Sequence, residues 1–104
     1  MQVLLDHQGR SVRLTDERLA HVLEHPEMAG MLADIARALV EPDLVVESNA
    51  DPEVQLSYRF LPTTRVGPKF VVIVVKTRAE DAFVVTAYLT DKPKAGRVLW
   101  SRER

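Results

Sequence analysis

The residues best equipped for chemistry lie close together in the stretch His21-Val22-Leu23-Glu24-His25-Pro26-Glu27. Letter for letter it matches H-x-x-E-H, the signature of one class of zinc metalloprotease. Two histidines at i and i+4 on a helix can share a metal, and near neutral pH they can also move protons. A helical wheel separates these readings. At about 100° per residue, Leu19, Val22 and Leu23 fall together and define the buried side. Arg18, His25 and His21 share one flank of that wheel, whereas Glu24 points away from His25 by about 100°. Zinc takes at least three protein ligands as a rule, and a guanidinium beside the histidines repels a cation. Pro26 also stops the helix that a zincin continues. No metal and no cofactor is therefore expected. The histidines keep two readings, proton transfer on a basic edge or a structural cation near a helix end.

A second group of candidates sits on strand-like segments. Alternation along residues 83–90 assigns Phe83, Val85, Ala87 and Leu89 to one face and Val84, Thr86, Tyr88 and Thr90 to the other. In the segment Val54 to Leu61, Ser57 and Arg59 share a face opposite Val54, Leu56, Tyr58 and Phe60. Stacked polar faces would align Arg59, Thr86 and Tyr88 as a shallow anion-binding surface; the plainer alternative is a solvated face of cross-strand pairs. Lys76 closes the most apolar run, where it needs no function beyond that of an edge gatekeeper. Lys92, Pro93, Lys94 and Gly96 make a basic turn, and Trp100, the sole tryptophan, reads as a core or edge aromatic.

The elements that must position these residues are legible from periodicity. Val3 to Leu5 and Ser11 to Leu14 flank a Gly9 turn as a small hairpin. Thr15 or Asp16 caps a first helix with an acidic first turn. Met28, Leu32, Ile35, Ala36 and Leu39 form the stripe of a second helix that Pro42 ends. Then the texture changes to strands: Leu44 to Glu47, Val54 to Leu61, Lys69 to Lys76, Ala82 to Thr90 and Arg97 to Ser101, parted by Pro, Gly and Asn turns. This order predicts an α+β domain, a short hairpin and two helices packed on one face of a mostly antiparallel sheet of four to five strands.

At 104 residues the chain reads as one domain. It has no cysteine, which excludes disulfides, a thiol nucleophile and Cys-ligated zinc. No secretory signal is visible, and the longest apolar run falls far short of a membrane span, so a cytoplasmic location and no membrane partner are expected. Gly-rich phosphate loops, a nucleophile elbow and a dinucleotide fingerprint are all missing. Net charge is −1, yet residues 1–53 carry 4 basic and 11 acidic side chains while residues 54–104 carry 10 basic and 4 acidic. Such a split marks either a localised site for an anionic partner or two oppositely charged layers that solvate one another.

The succession RLTDERLAHVLEHPEM, VVIVVK, FVVTAYLTDKPKAG and LW resembles a bacterial and phage family of small nuclease-fold domains, grouped with barnase, EndoU, colicin ribonucleases and RelE. The likeness runs from Arg13 to about Trp100. It rests most on the ERxxHxxxHPE block at Glu17 to Glu27 and on TAYLTDKPKAG at Thr86 to Gly96. It implies two helices followed by an antiparallel sheet, with the opening hairpin as an added edge. It also implies metal-independent RNA cleavage, in which the ribose 2′-OH attacks the adjacent phosphate with the help of a base, an acid and cations. Carried over, His21 would be the leading acid or base and His25 the second candidate. Lys76 and Lys94 would steady the phosphate, with Thr86 and Tyr88 as hydrogen-bond donors; Arg18 on the histidine edge and Arg59 from the face pattern would bind substrate. RNA is then the partner, with an antitoxin or immunity protein as a second one. The other reading is a non-catalytic domain of the same fold that binds protein or nucleic acid.

Overall fold

The computed structural model describes residues 1–102. Its first element is the expected hairpin of β1 (Gln2–Leu5) and β2 (Ser11–Leu14). Gly9 holds φ at 79°, a conformation that a Cβ disfavours. Asp6 Oδ1 accepts from the backbone N–H groups of Gln8 and Arg10 and closes the turn. Thr15 Oγ1 then accepts from the Arg18 N–H at 3.2 Å and caps α1 (Asp16–Leu23), whose first turn is acidic. The single stripe predicted from Met28 onward is divided. Pro26–Met28 form one 3-10 turn, Gly30 takes φ 74°, and α2 begins only at Leu32 and ends at Val40.

Five further strands follow: β3 (Leu44–Glu47), β4 (Val54–Leu61), β5 (Lys69–Arg78), β6 (Asp81–Thr90) and β7 (Arg97–Ser101). They assemble in the order β1-β2-β6-β5-β4-β3-β7. The α+β class, the hairpin and the two helices are as predicted, but the sheet is a correction: it has seven strands rather than four or five, and it is mixed. The hairpin is part of the sheet because β2 runs parallel to β6, with Arg13 opposite Phe83. Val12 and Leu14 are fully buried from that strand, so the edge is bound through the core.

Both helices cover one side of the sheet. Val22, Met28, Ile35 and Leu39 pack there against Val12, Leu14, Val71, Ile73, Val84 and Ala87. Hydrophobic burial of this kind supplies the main folding force. The sheet also curls around the helices, bringing the His7 ring of the β1–β2 turn to 5.6 Å from the ring of Trp100 on β7. Among the described residues the other side carries no helix. Its own small cluster is Val46, Leu56, Tyr58 and Val72, fringed by Leu44, Val54, Phe70, Val74 and Tyr88.

What covers that cluster is the connection from β6 to β7. These strands run parallel with β5, β4 and β3 between them, so residues 91–96 must cross the sheet. They cross on the helix-free side: the Lys94 N–H donates to Tyr58 Oη at 3.0 Å, and Asn49 Nδ2 donates to the Ala95 carbonyl at 3.2 Å. At Gly96 this strap lies so close to β3 that a Cβ would sit 2.5 Å from the Glu47 carbonyl oxygen and 2.5 Å from Val46 Cγ1. Gly96→Ala is therefore expected to destabilise the fold by about 1–3 kcal/mol, the usual cost of overpacking against backbone. Urea unfolding checks this, and an unchanged midpoint would show that the strap is not seated on β3.

Candidate functional site

The two histidines stand on the exposed outer side of α1. His21 is 60% exposed and its Nδ1 lies 4.0 Å from Glu24 Oε1, while its ring meets that of His25 edge-on at 6.3 Å between centroids. Glu24 thus turns toward His21. Arg18 is exposed on the same helix. Among the described residues no group of three or more His, Cys, Asp or Glu could hold a metal. Because α1 packs with the core on the helix side of β6, this edge lies on the helix side of the molecule.

The remaining candidates follow strand parity. Arg59 is opposite Val71 and Ser57 opposite Ile73, both core residues, so both side chains face the helices. Ser57 Oγ donates to the Ala38 carbonyl at 2.7 Å, and Arg59 Nη1 donates to the Glu41 carbonyl at 2.6 Å, which satisfies the end of α2. Arg59 is therefore a helix-end partner on one side of the sheet, while Thr86 and Tyr88 face the other; the three do not form one surface. Tyr88 opposes Val72 and Thr86 opposes Val74, on the helix-free side.

Between Val74 and Val75 the β5–β6 register slips, with Val74 opposite Thr86 and Val75 opposite Val84. Val85 is the extra residue of a β-bulge. The strict alternation predicted for residues 83–90 is thereby inverted below the bulge. Val84 and Ala82 enter the core, and Phe83 emerges on the helix-free side opposite Lys76. Thr86, Tyr88, Phe83 and Lys76 consequently share one face, with Thr86 and Tyr88 spaced about 7 Å along the strand. Lys94 is held over the same face by its bond to Tyr58. Phe60 and Phe70 extend it upward, their rings 5.3 Å apart, and Phe60 is 45% exposed.

Charges border this strip. Lys76 is not an edge residue; β5 is a central strand, and Lys76 Nζ lies 2.6 Å from Asp51 Oδ2 and 3.2 Å from Glu53 Oε1. The hydrogen bond to Asp51, then that to Glu53, raises the lysine pKa, and the same bond from Lys76 is the first cause that lowers that of Asp51. Opposite, Arg13 grips Asp81 with two bonds of 3.0 and 2.7 Å, and its guanidinium lies 5.4 Å over the Phe83 ring. Burial pushes the Tyr58 phenol up, against the opposing effect of the Lys94 N–H. Lys69 pairs with Asp91 at the start of the strap. Lys92 and Lys94 are exposed and make no ion pair among the described residues.

Four of the eight predicted site residues (Lys76, Thr86, Tyr88 and Lys94) thus meet on one face, and His21, His25, Arg18 and Arg59 belong to the other side. Sequence reasoning missed Phe83, Arg13 and Phe70. For Phe83 and Arg13 the only available signal was their place on strands of alternating pattern, and the bulge reverses that signal at Phe83. A face of lysines, hydroxyls and aromatic rings suits an anionic polymer whose bases stack. No family model, no curated protein and no solved structure matches the chain.

Asp51, Asp81 and Asp91 all have lowered pKa values, caused first by their hydrogen bonds to Lys76, Arg13 and Lys69. A carboxylate with a depressed folded-state pKa adds stability above its unfolded value, near 4, and loses it as pH falls through the folded value. Melting temperature is therefore expected to hold from pH 7 to about 5 and to fall below about 4. An Asp51→Asn/Asp81→Asn variant should be less stable at pH 7 and show a shallower acid decline. Parallel declines in the two proteins would contradict the assignment.

Proposed function

We propose that this protein binds single-stranded RNA on the helix-free face of its sheet, with Lys76, Thr86, Tyr88 and Lys94 in contact with the strand. The observation that carries the reading is the meeting of these four residues with Phe60, Phe70 and Phe83 on a surface that no helix covers. Bases of a single strand stack on aromatic rings, and lysines track its phosphates. Charge supports the same orientation. The helical layer, residues 15–41, holds six acidic and two basic side chains and repels RNA, whereas the strap presents Lys92 and Lys94. Among the described residues no helix is long and apolar enough to cross a membrane.

Cleavage of the bound strand is the second reading. It is favoured by the resemblance to the barnase, EndoU, colicin ribonuclease and RelE superfamily and by the presence of lysine, tyrosine and threonine together on the binding face. In that reaction the 2′-OH attacks the phosphate without metal. Lys76 and Lys94 would neutralise the developing charge, Thr86 would donate a hydrogen bond, and Tyr88 would serve the proton transfers. His21 and His25 stand on the far side of the sheet and take no part. A toxin- or phage-effector-like role in the cytoplasm, held in check by an antitoxin or immunity protein, goes with this second reading.

Both readings are tested by adding a fluorescent oligoribonucleotide in EDTA while following anisotropy and strand length. Binding that weakens with salt is expected. Tyr88→Ala should lower affinity at least fivefold, about 1 kcal/mol of lost stacking, and a Lys92→Ala/Lys94→Ala pair should flatten the salt dependence. His21→Ala and His25→Ala should leave affinity unchanged. Shortened strands that vanish with Lys76→Ala and Tyr88→Phe, but persist with His21→Ala, would establish the enzyme. Absent binding, or binding lost with His21→Ala alone, would overturn the proposal.

A further inference from the structure

The turn between β3 and β4 carries an acidic pair onto the lower end of the same face. Asp51 Oδ2 and Glu53 Oε1 lie 2.6 and 3.2 Å from Lys76 Nζ, and Glu53 Oε1 lies 3.8 Å from Arg78 Nε. Only 20% of the Lys76 side chain is exposed, so its accessible hydrogen-bonding positions are largely taken by these carboxylates. The turn is built to present them. Asp51 Oδ1 accepts from the Glu53 N–H at 2.9 Å, Ser48 Oγ accepts from the Ala50 N–H at 3.1 Å, and the Val54 N–H donates to the Asp51 carbonyl at 3.0 Å. Through Asn49 the same turn also holds the strap at Ala95.

A carboxylate and a phosphate oxygen make the same charge-assisted bond to an ammonium or guanidinium. We infer that Asp51 and Glu53 are an internal stand-in for phosphate: they occupy Lys76 and Arg78 in the free protein and are displaced when a phosphodiester reaches the face. The inference rests on the RNA reading above and adds its regulation. Three features fit this role better than a purely structural one. Lys76 lies on a central strand opposite Phe83 on the proposed contact face, two residues from Val74, the partner of Thr86, rather than at the sheet edge. The acidic partners come from a turn whose backbone stays fixed, since the Glu53 carbonyl accepts from the Thr77 N–H at 2.7 Å, so the exchange needs only the two carboxylate side chains to rotate. Glu53 is about half exposed, and pairs open to solvent exchange partners at little cost. The arrangement lowers affinity for isolated phosphates and leaves an extended anionic strand, already held by stacking on Tyr88 and by Lys94, to complete the exchange.

The test is Asp51→Asn/Glu53→Gln, which keeps the shapes of both side chains and removes their charge. Glu17→Gln/Glu24→Gln on α1 is the control for an equal change in net charge. Two titrations are run, one with a labelled oligoribonucleotide and one with inorganic pyrophosphate, which reads the freed cations without bases. The turn variant is expected to gain roughly tenfold in RNA affinity, with a salt slope steeper by about 0.7 for each cation released, and to gain for pyrophosphate as well. Adding Lys76→Ala to it should cancel both gains, and the α1 control should show neither. A gain for pyrophosphate with no RNA binding at all would uphold the turn's role and remove the RNA reading. RNA binding by the unmodified protein, with no gain in the turn variant, would overturn this inference and leave the RNA reading standing. A gain equal to that of the α1 control, or one that survives Lys76→Ala, would also overturn it. Should the double variant fail to fold, Glu53→Gln alone preserves the Asp51 turn bonds and is expected to give the same gains at smaller size.

Discussion

A β-strand must send successive side chains to opposite sides, and among the described residues only one of those sides has helices to cover it. Both helices spend their apolar stripes on the same surface of the sheet, where Val22, Ile35 and Leu39 meet Val71, Ile73 and Val84. Everything that strand parity sends the other way must find different cover or face solvent. Tyr58 and Val72 are nevertheless fully buried on that other side. The six residues that cross from β6 to β7 account for this, anchored by one bond to the Tyr58 hydroxyl and by the close approach of Gly96 to β3. The strap buries Tyr58 on β4 and Val72 on β5 and leaves a partly open portion toward β6, where Lys76, Phe83, Thr86 and Tyr88 are half-buried. The open portion holds the candidate contact residues.

The bulge at Val85 decides what that open portion contains. Without the extra residue, Phe83 would point to the core and Val84 outward; with it, an aromatic ring joins Thr86 and Tyr88 beneath the Arg13 guanidinium. One slipped residue therefore converts a mixed polar strip into a surface with both stacking and hydrogen-bonding groups. The same strand carries Asp81, which fixes Arg13 and so helps bind the hairpin edge to the sheet. Architecture and candidate site share parts here, and substitutions at Phe83 or Asp81 would disturb both.

Much of this was legible in the chain alone. The hairpin, a helix cap at Thr15 or Asp16, the proline that ends α1 and all seven strand segments follow from local rules. So does the fact that Ser57 and Arg59 share a face apart from Tyr58 and Phe60. What local rules could not supply was the side of the sheet to which each face belongs. Arg59 and Thr86 both lie on polar faces of their strands, yet one reaches back to cap α2 and the other looks away from the helices. That assignment depends on how β4 and β6 are registered through β5, a non-local fact. The bulge was equally hidden, since Phe83-Val84-Val85 is apolar throughout and alternation cannot show where a residue has been inserted. The two histidines were visible as a pair, but the sheet that separates them from Lys76 and Thr86 was not.

The central claim is that RNA meets the sheet and not the histidine edge. Its most direct test is an amide chemical-shift map of the 15N-labelled protein during titration with a short oligoribonucleotide. The expected result is a contiguous set of shifts over Phe83, Thr86, Tyr88 and strap residues 91–96, with the amides of Ala20 to His25 unmoved. Shifts centred on Arg18, His21 and His25, with the sheet face silent, would contradict the account.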